Sequence, residues 1–117
     1  LNLGHTVAHA LESASAYSLR HGEAVAWGLL AALRLSVSRG LLAEEAAGRA
    51  EALGRALLAP PRLPSRVLDR WTDFLPADKK RDRSGLRDVL LAGPGRAVLV
   101  RVEAGELAAS LPAAARG

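Results

Sequence analysis

Three histidines, His5, His9 and His21, fall within the opening run LNLGHTVAHALESASAYSLRHGE, and no histidine follows them. Imidazole is the commonest metal ligand among side chains and the group whose unperturbed pKa lies nearest neutrality. Three of them beside Asn2, Glu12 and Glu23 suggest a metal or proton-transfer site. The chain has no cysteine, so any metal must take nitrogen or oxygen ligands. Histidines four apart on a helix can face one point, and a third from the following turn can complete part of a tetrahedral zinc site. The competing reading has individual histidines capping or hydrogen-bonding within a helix pair.

A second signal is independent of the first. The sequence holds 14 arginines and only two lysines, Lys79 and Lys80, adjacent in the stretch PADKKRDRSG. A composition that otherwise chooses arginine suggests that these positions need a compact ammonium on a flexible stem, able to reach a carboxylate, hydroxyl or phosphate. The plainer alternative is a solvated basic loop.

Helical periodicity supplies the frame. Leu3, Val7, Ala10, Leu11, Ala14 and Tyr17 form one apolar stripe, which predicts a helix from Leu3 to Tyr17. Asn2, His5, His9 and Glu12 lie on its opposite side. After a connector at Ser18, Leu19 and Arg20, the segment His21-Gly22-Glu23 leads into AVAWGLLAALRLSV. This second helix is apolar nearly all round and belongs in a core, with Gly40 stopping it. A third helix is expected from Ala43 to Ala59, ended by Pro60 and Pro61. Ser65 is expected to cap a fourth that runs to Leu75. RDVLL and AVLVRV, joined by AGPGR, predict a β-hairpin. Glu103 to Leu111 predicts a last helix, with AAARG as a frayed end.

Composition agrees with a mainly α fold. The 117 residues are 50% hydrophobic and 3% aromatic, which favours packed helices over a sandwich of aromatic and β-branched strands. That length suits a single domain, residues 1–117. The net charge of +4 invites a nucleic-acid reading, but the arginines are scattered among acids such as Glu44, Glu45, Glu51, Asp69 and Asp73. Only DKKRDR is dense, and no aromatic interleaves with it, so no nucleic-acid partner is expected. No signal peptide is readable, and the longest run without a polar side chain, Ala24 to Leu33, is about half of a membrane span. A cytoplasmic protein with no membrane partner is the expectation. The chain starts at Leu1, inside a motif, and has no methionine, so a piece of something longer is expected.

LNLGHTVAHALES followed by LRHGEAVAWGLLAA resembles the signature of the 3-dehydroquinate synthases, LNxGHTxGHAxE and then HGEAVxxGM. The DKK stretch followed by VLL and a Gly-containing turn resembles their C-terminal region. The resemblance implies the helical C-terminal domain of that fold, lacking the N-terminal domain that binds NAD. It implies His5 and His21 as two ligands of a catalytic zinc or cobalt ion, with a glutamate from outside the chain as the third. His9 would then be a general acid/base near the substrate's phosphate. Asn2 and a lysine, Lys80 in preference to Lys79, would bind the sugar phosphate substrate, with Lys80 counted in the catalytic set. Glu12 and Glu23 would give support, such as holding a histidine tautomer. The implied reaction is the cyclisation of 3-deoxy-arabino-heptulosonate 7-phosphate to 3-dehydroquinate with phosphate release, in a homodimeric enzyme. A sister sugar phosphate cyclase (amino-dehydroquinate, valiolone or inosose type) and a non-catalytic helical interaction module are the rivals. Val7-Ala8 stands where an aromatic and a glycine are common, and Trp27-Gly28-Leu29 where a Gly-Met pair is common. No glycine-rich dinucleotide fingerprint is present. The 117 residues alone are expected to bind zinc weakly, NAD not at all, and to turn over nothing.

Overall fold

The computed structural model describes residues 3–75, 86–93 and 95–116. Among these residues stand five α-helices: α1 (His5–Ala14), α2 (His21–Ser38), α3 (Glu44–Leu58), α4 (Ser65–Arg70) and α5 (Ala104–Ser110). Between α4 and α5, β1 (Leu86–Leu91) and β2 (Ala97–Val102) pair as an antiparallel hairpin, Leu86 opposite Val102 and Leu91 opposite Ala97. Short 3-10 turns, Trp71–Phe74 and Ala113–Arg116, follow α4 and α5. The mainly helical architecture with a small hairpin near the C-terminus is the one the sequence predicts. No helix among the described residues is long and apolar enough to cross a membrane.

Helix α2 is the axis of the fold. Its all-round apolar surface lets α1, α3, α5 and β1 pack against it from different sides, burying Ala24, Trp27, Leu30, Ala31, Leu33 and Leu35. The indole N–H of Trp27 would be orphaned there; it donates to the Pro61 carbonyl at 2.8 Å. Val7 and Leu11 of α1, Val67 and Trp71 below them, Leu90 of β1 and Leu107 of α5 complete the same core.

The contact between α1 and α2 is backbone on backbone. A Cβ placed on Gly28 would fall on the Gly4 carbonyl oxygen and lie 3.3 Å from the Ala8 methyl. One placed on Gly4 would meet the Gly28 carbonyl carbon at 2.5 Å, and Gly4 also has a φ of 77°, which only glycine adopts without strain. These two glycines therefore set how closely the two histidine-bearing helices approach.

Three sequence expectations need correction. Helix α1 stops at Ala14 rather than Tyr17: Ala16 and Tyr17 take left-handed φ values of 53° and 63°, and their N–H groups return to the Ser13 and Glu12 carbonyls. This Schellman closure reverses the chain toward His21 and leaves Tyr17 in solvent instead of on the apolar stripe. Ser65 does not cap α4. Pro64 occupies that position, its carbonyl accepting from the Val67 and Leu68 N–H groups, and the helix tightens into a 3-10 turn before reaching Leu75. The C-terminal AAAR is ordered rather than frayed, because Ala115 is fully buried and its carbonyl accepts the Leu63 N–H at 2.9 Å.

Two polar devices seat the hairpin on α2. The buried Ser36 hydroxyl donates to the Ala32 carbonyl at 2.6 Å while its oxygen accepts the Leu91 N–H at 3.0 Å. Arg39, just past the end of α2, grips both oxygens of Glu106 on α5 at 2.6 and 2.9 Å and also reaches the Arg101 carbonyl. The Arg39 guanidinium, with the Glu103 N–H, lowers the Glu106 carboxyl to about 2. A carboxyl depressed in the folded state stabilises above its unfolded pKa and loses that contribution as pH falls through the folded value. Acid titration of the urea midpoint is thus expected to show a decline between about pH 5 and 2 that Arg39→Gln flattens. An unchanged acid limb in Arg39→Gln would show that the pair contributes nothing to stability.

Candidate active-site wall

His5 and His21 are the first residues of α1 and α2, so one helix start carries each. The reversal at Ala16 and Tyr17 brings them together: their ring centroids lie 6.0 Å apart, and those of His5 and His9 lie 5.6 Å apart with the planes at 84°. His5 is half-buried, whereas His9 and His21 are exposed. All three histidines therefore share one open face, as the sequence predicts.

Hydrogen bonding sets which ring nitrogen is available. The Glu12 carboxylate lies 3.0 Å from His21 Nδ1, and the Leu3 carbonyl lies 3.3 Å from His5 Nδ1. A backbone carbonyl and an ionised carboxylate can only accept, so each Nδ1 carries a proton, and in the neutral ring that leaves Nε2 as the atom with a lone pair. Glu12 is the informative member. It is only 9% exposed, although the His21 ring that it meets is exposed. Glu23 does something different from holding a histidine. Its carboxylate accepts the Arg20 N–H at 2.9 Å and caps the start of α2.

This arrangement fits a divalent ion in part. Two imidazoles on one tetrahedral ion, with metal–nitrogen distances of 2.0–2.1 Å, hold their ring centres about 5 Å apart. The His5–His21 spacing is close to that, and the donor chemistry is right. No three His, Cys, Asp or Glu among the described residues converge as a ready-made ion site, and an ion held there by His5 and His21 would need a further ligand. Asn2, Lys79 and Lys80 lie outside the described residues.

Sequence reasoning missed two residues beside this wall. Asp88 of β1 is 2% exposed, its carboxylate accepting the Val89 N–H at 2.9 Å, and Thr6 of α1 donates its hydroxyl to the neighbouring Arg87 carbonyl at 3.3 Å. The signal was present: strand alternation puts position 88 on the same side as Leu86 and Leu90, an inward place for an acid.

Comparison with known proteins gives the family. Residues 1–81 match the family described as 3-dehydroquinate synthase C-terminal. A 3-dehydroquinate synthase of Dehalococcoides mccartyi is 41% identical over 99 residues, covering 85% of this chain and 28% of the relative. Those of Geobacter metallireducens and Paracoccus denitrificans are 39% and 44% identical, covering 87% and 83% of this chain and 29% and 28% of the relatives. The chain belongs to the 3-dehydroquinate synthase C-terminal family. It spans less than a third of the length of these relatives.

Proposed function

We propose that this chain forms one wall of the active site of a 3-dehydroquinate synthase, a lyase that cyclises 3-deoxy-arabino-heptulosonate 7-phosphate with loss of phosphate. The supporting observation is the closeness of the His5 and His21 rings, 6.0 Å between centroids, each with an acceptor on its Nδ1. These two histidines would hold a zinc or cobalt ion with a ligand from elsewhere in the protein. Such an ion supplies polarisation of the substrate's reacting oxygens.

The chain's own side chains divide the remaining work. His9 lies one helical turn beyond His5 and is open to solvent, so it can take a proton from a bound hydroxyl or return one to a leaving phosphate oxygen. Glu12 keeps His21 in the tautomer a ligand needs. Asn2 and Lys80, with Lys79 beside it, would bind the substrate's polar and anionic groups. This reading assigns NAD mainly to another part of a cytoplasmic homodimer, since the described strands form an antiparallel hairpin and not the parallel βαβ unit that commonly holds a dinucleotide.

Phosphate release from the heptulosonate phosphate by the full-length protein tests this. The expected result is turnover that falls about 10²–10⁴-fold in His9→Ala, and bound metal that disappears in His5→Ala and His21→Ala. Release from a different sugar phosphate alone would assign the chain to a sister cyclase. No release from any, with metal content unaffected by the histidine substitutions, would leave a non-catalytic helical module.

A further inference from the structure

The turn between α1 and α2 takes left-handed φ values at two successive residues, 53° at Ala16 and 63° at Tyr17, and neither is a glycine. A Cβ crowds the backbone in that region, so the chain relaxes to another path unless surrounding bonds hold it. This turn carries the chain from Glu12 to His21, whose Nδ1 lies 3.0 Å from the Glu12 carboxylate. The proposed chemistry assigns none of its residues a part.

One buried hydroxyl closes the turn. Ser15 is 3% exposed, and its Oγ donates to the Glu12 carbonyl at 2.8 Å while accepting the Leu19 N–H at 3.2 Å. The Ser15 carbonyl in turn accepts the Ser18 hydroxyl at 2.8 Å and the Ser18 N–H at 3.2 Å. Only a side chain that donates and accepts at once can join these two backbone groups, and serine is the smallest that does. The Glu12 carbonyl also takes the Tyr17 N–H at 2.9 Å. Glu12 is therefore an anchor twice over, its carboxylate on His21 and its carbonyl under the turn that delivers His21. Leu19 continues the tie, its side chain packed against the core two residues before that histidine.

We infer that Ser15 is a positioning residue: its hydroxyl spans the reversal from Glu12 to Leu19, holds the two left-handed residues between them, and so sets where the start of α2 presents His21 to Glu12 and His5. The consequence for metal binding rests on the reading of His21 given above, while the tie itself does not.

Hydrogen exchange and Co2+ titration of the full-length protein test this. In Ser15→Ala the amides of Tyr17 and Leu19 are expected to exchange about tenfold faster, while those of Leu30 and Ala31 inside α2 keep the parental rate. Co2+ affinity is expected to fall about tenfold. Adding Ala16→Gly, which places glycine where a Schellman closure favours it, should restore most of the affinity and slow Tyr17 again, with Leu19 still fast because its acceptor is gone. A serine that merely fills space would give no such recovery, so its absence would overturn the inference. Parental exchange at Tyr17 and Leu19 in Ser15→Ala would do the same, as would parental Co2+ affinity in a variant whose turn has loosened, or a protection loss spread evenly over the protein. Should Ser15→Ala fail to fold, Ser15→Cys, with a similar shape and a weaker donor and acceptor, is read at the same two amides. Failure of the parent to bind Co2+ would defeat the metal reading of His21, with the exchange data still deciding whether Ser15 holds the reversal.

Discussion

Glu12→Ala in the full-length protein is expected to weaken binding of a divalent ion about 10–100-fold, the usual consequence of removing the partner that orients a ligating imidazole. His21 Nδ1 then loses its acceptor at 3.0 Å, and the exposed ring is free to rotate and to change tautomer. Glu12→Gln should fall between the two, because its amide oxygen still accepts the Nδ1 proton but carries no charge. The readout is Co2+ titration, with circular dichroism confirming that the helices persist. Parental affinity in Glu12→Ala with an intact fold would show that the carboxylate serves only the local packing of α1.

Gly28→Ala should destabilise the protein by about 1–3 kcal/mol, the usual range for forcing an extra carbon into a closed contact. The atom it meets is the Gly4 carbonyl oxygen, and backbone cannot swing aside as a flexible side chain can. Gly4→Ala meets the same contact from the other side and adds about 1–2 kcal/mol for a left-handed φ. The double variant should cost less than the sum, since one substitution already separates the helices that the other would push apart. Urea midpoints at constant slope measure all three. A shift in Gly28→Ala of under about 0.5 kcal/mol, the level of an ordinary surface change, would mean that α1 and α2 do not meet as closely as described.

The extent to which the sequence announced this structure varies with the kind of physics involved. Apolar patterning placed α1 and α2 because they bury a stripe or a whole surface, α3 was marked by acids early, arginines later and two closing prolines although it buries only Ala47, and the hairpin followed from two short apolar runs around a glycine turn. The gathering of His5, His9 and His21 was also legible, since it follows from helical spacing plus a short connector. What escaped was non-local. Tyr17 continues the apolar stripe of α1 in sequence, but a Schellman closure formed without glycine turned it outward. Ala115 has no distinguishing chemistry, and what holds it is the bond from the Leu63 N–H and its burial among core residues distant in sequence. The bond between Glu12 and His21 spans nine positions and two helices, so no periodicity encodes it. Gly4 and Gly28 read as punctuation until their backbones are seen to touch.

One consequence follows from where α1 and α2 begin. Both helices start on a histidine of the shared face, and those two rings are 6.0 Å apart. Aligned peptide dipoles leave roughly half a positive charge at each helix start. The two starts do not coincide: Gly4 at the head of α1 packs on Gly28, seven residues into α2, while His21 at the head of α2 meets Glu12 near the end of α1, so only the imidazoles reach across. An anion beside His5 would therefore meet the favourable start of α1 alone, and the start of α2 has the last turn of α1 beside it, so the two dipoles do not add at one point.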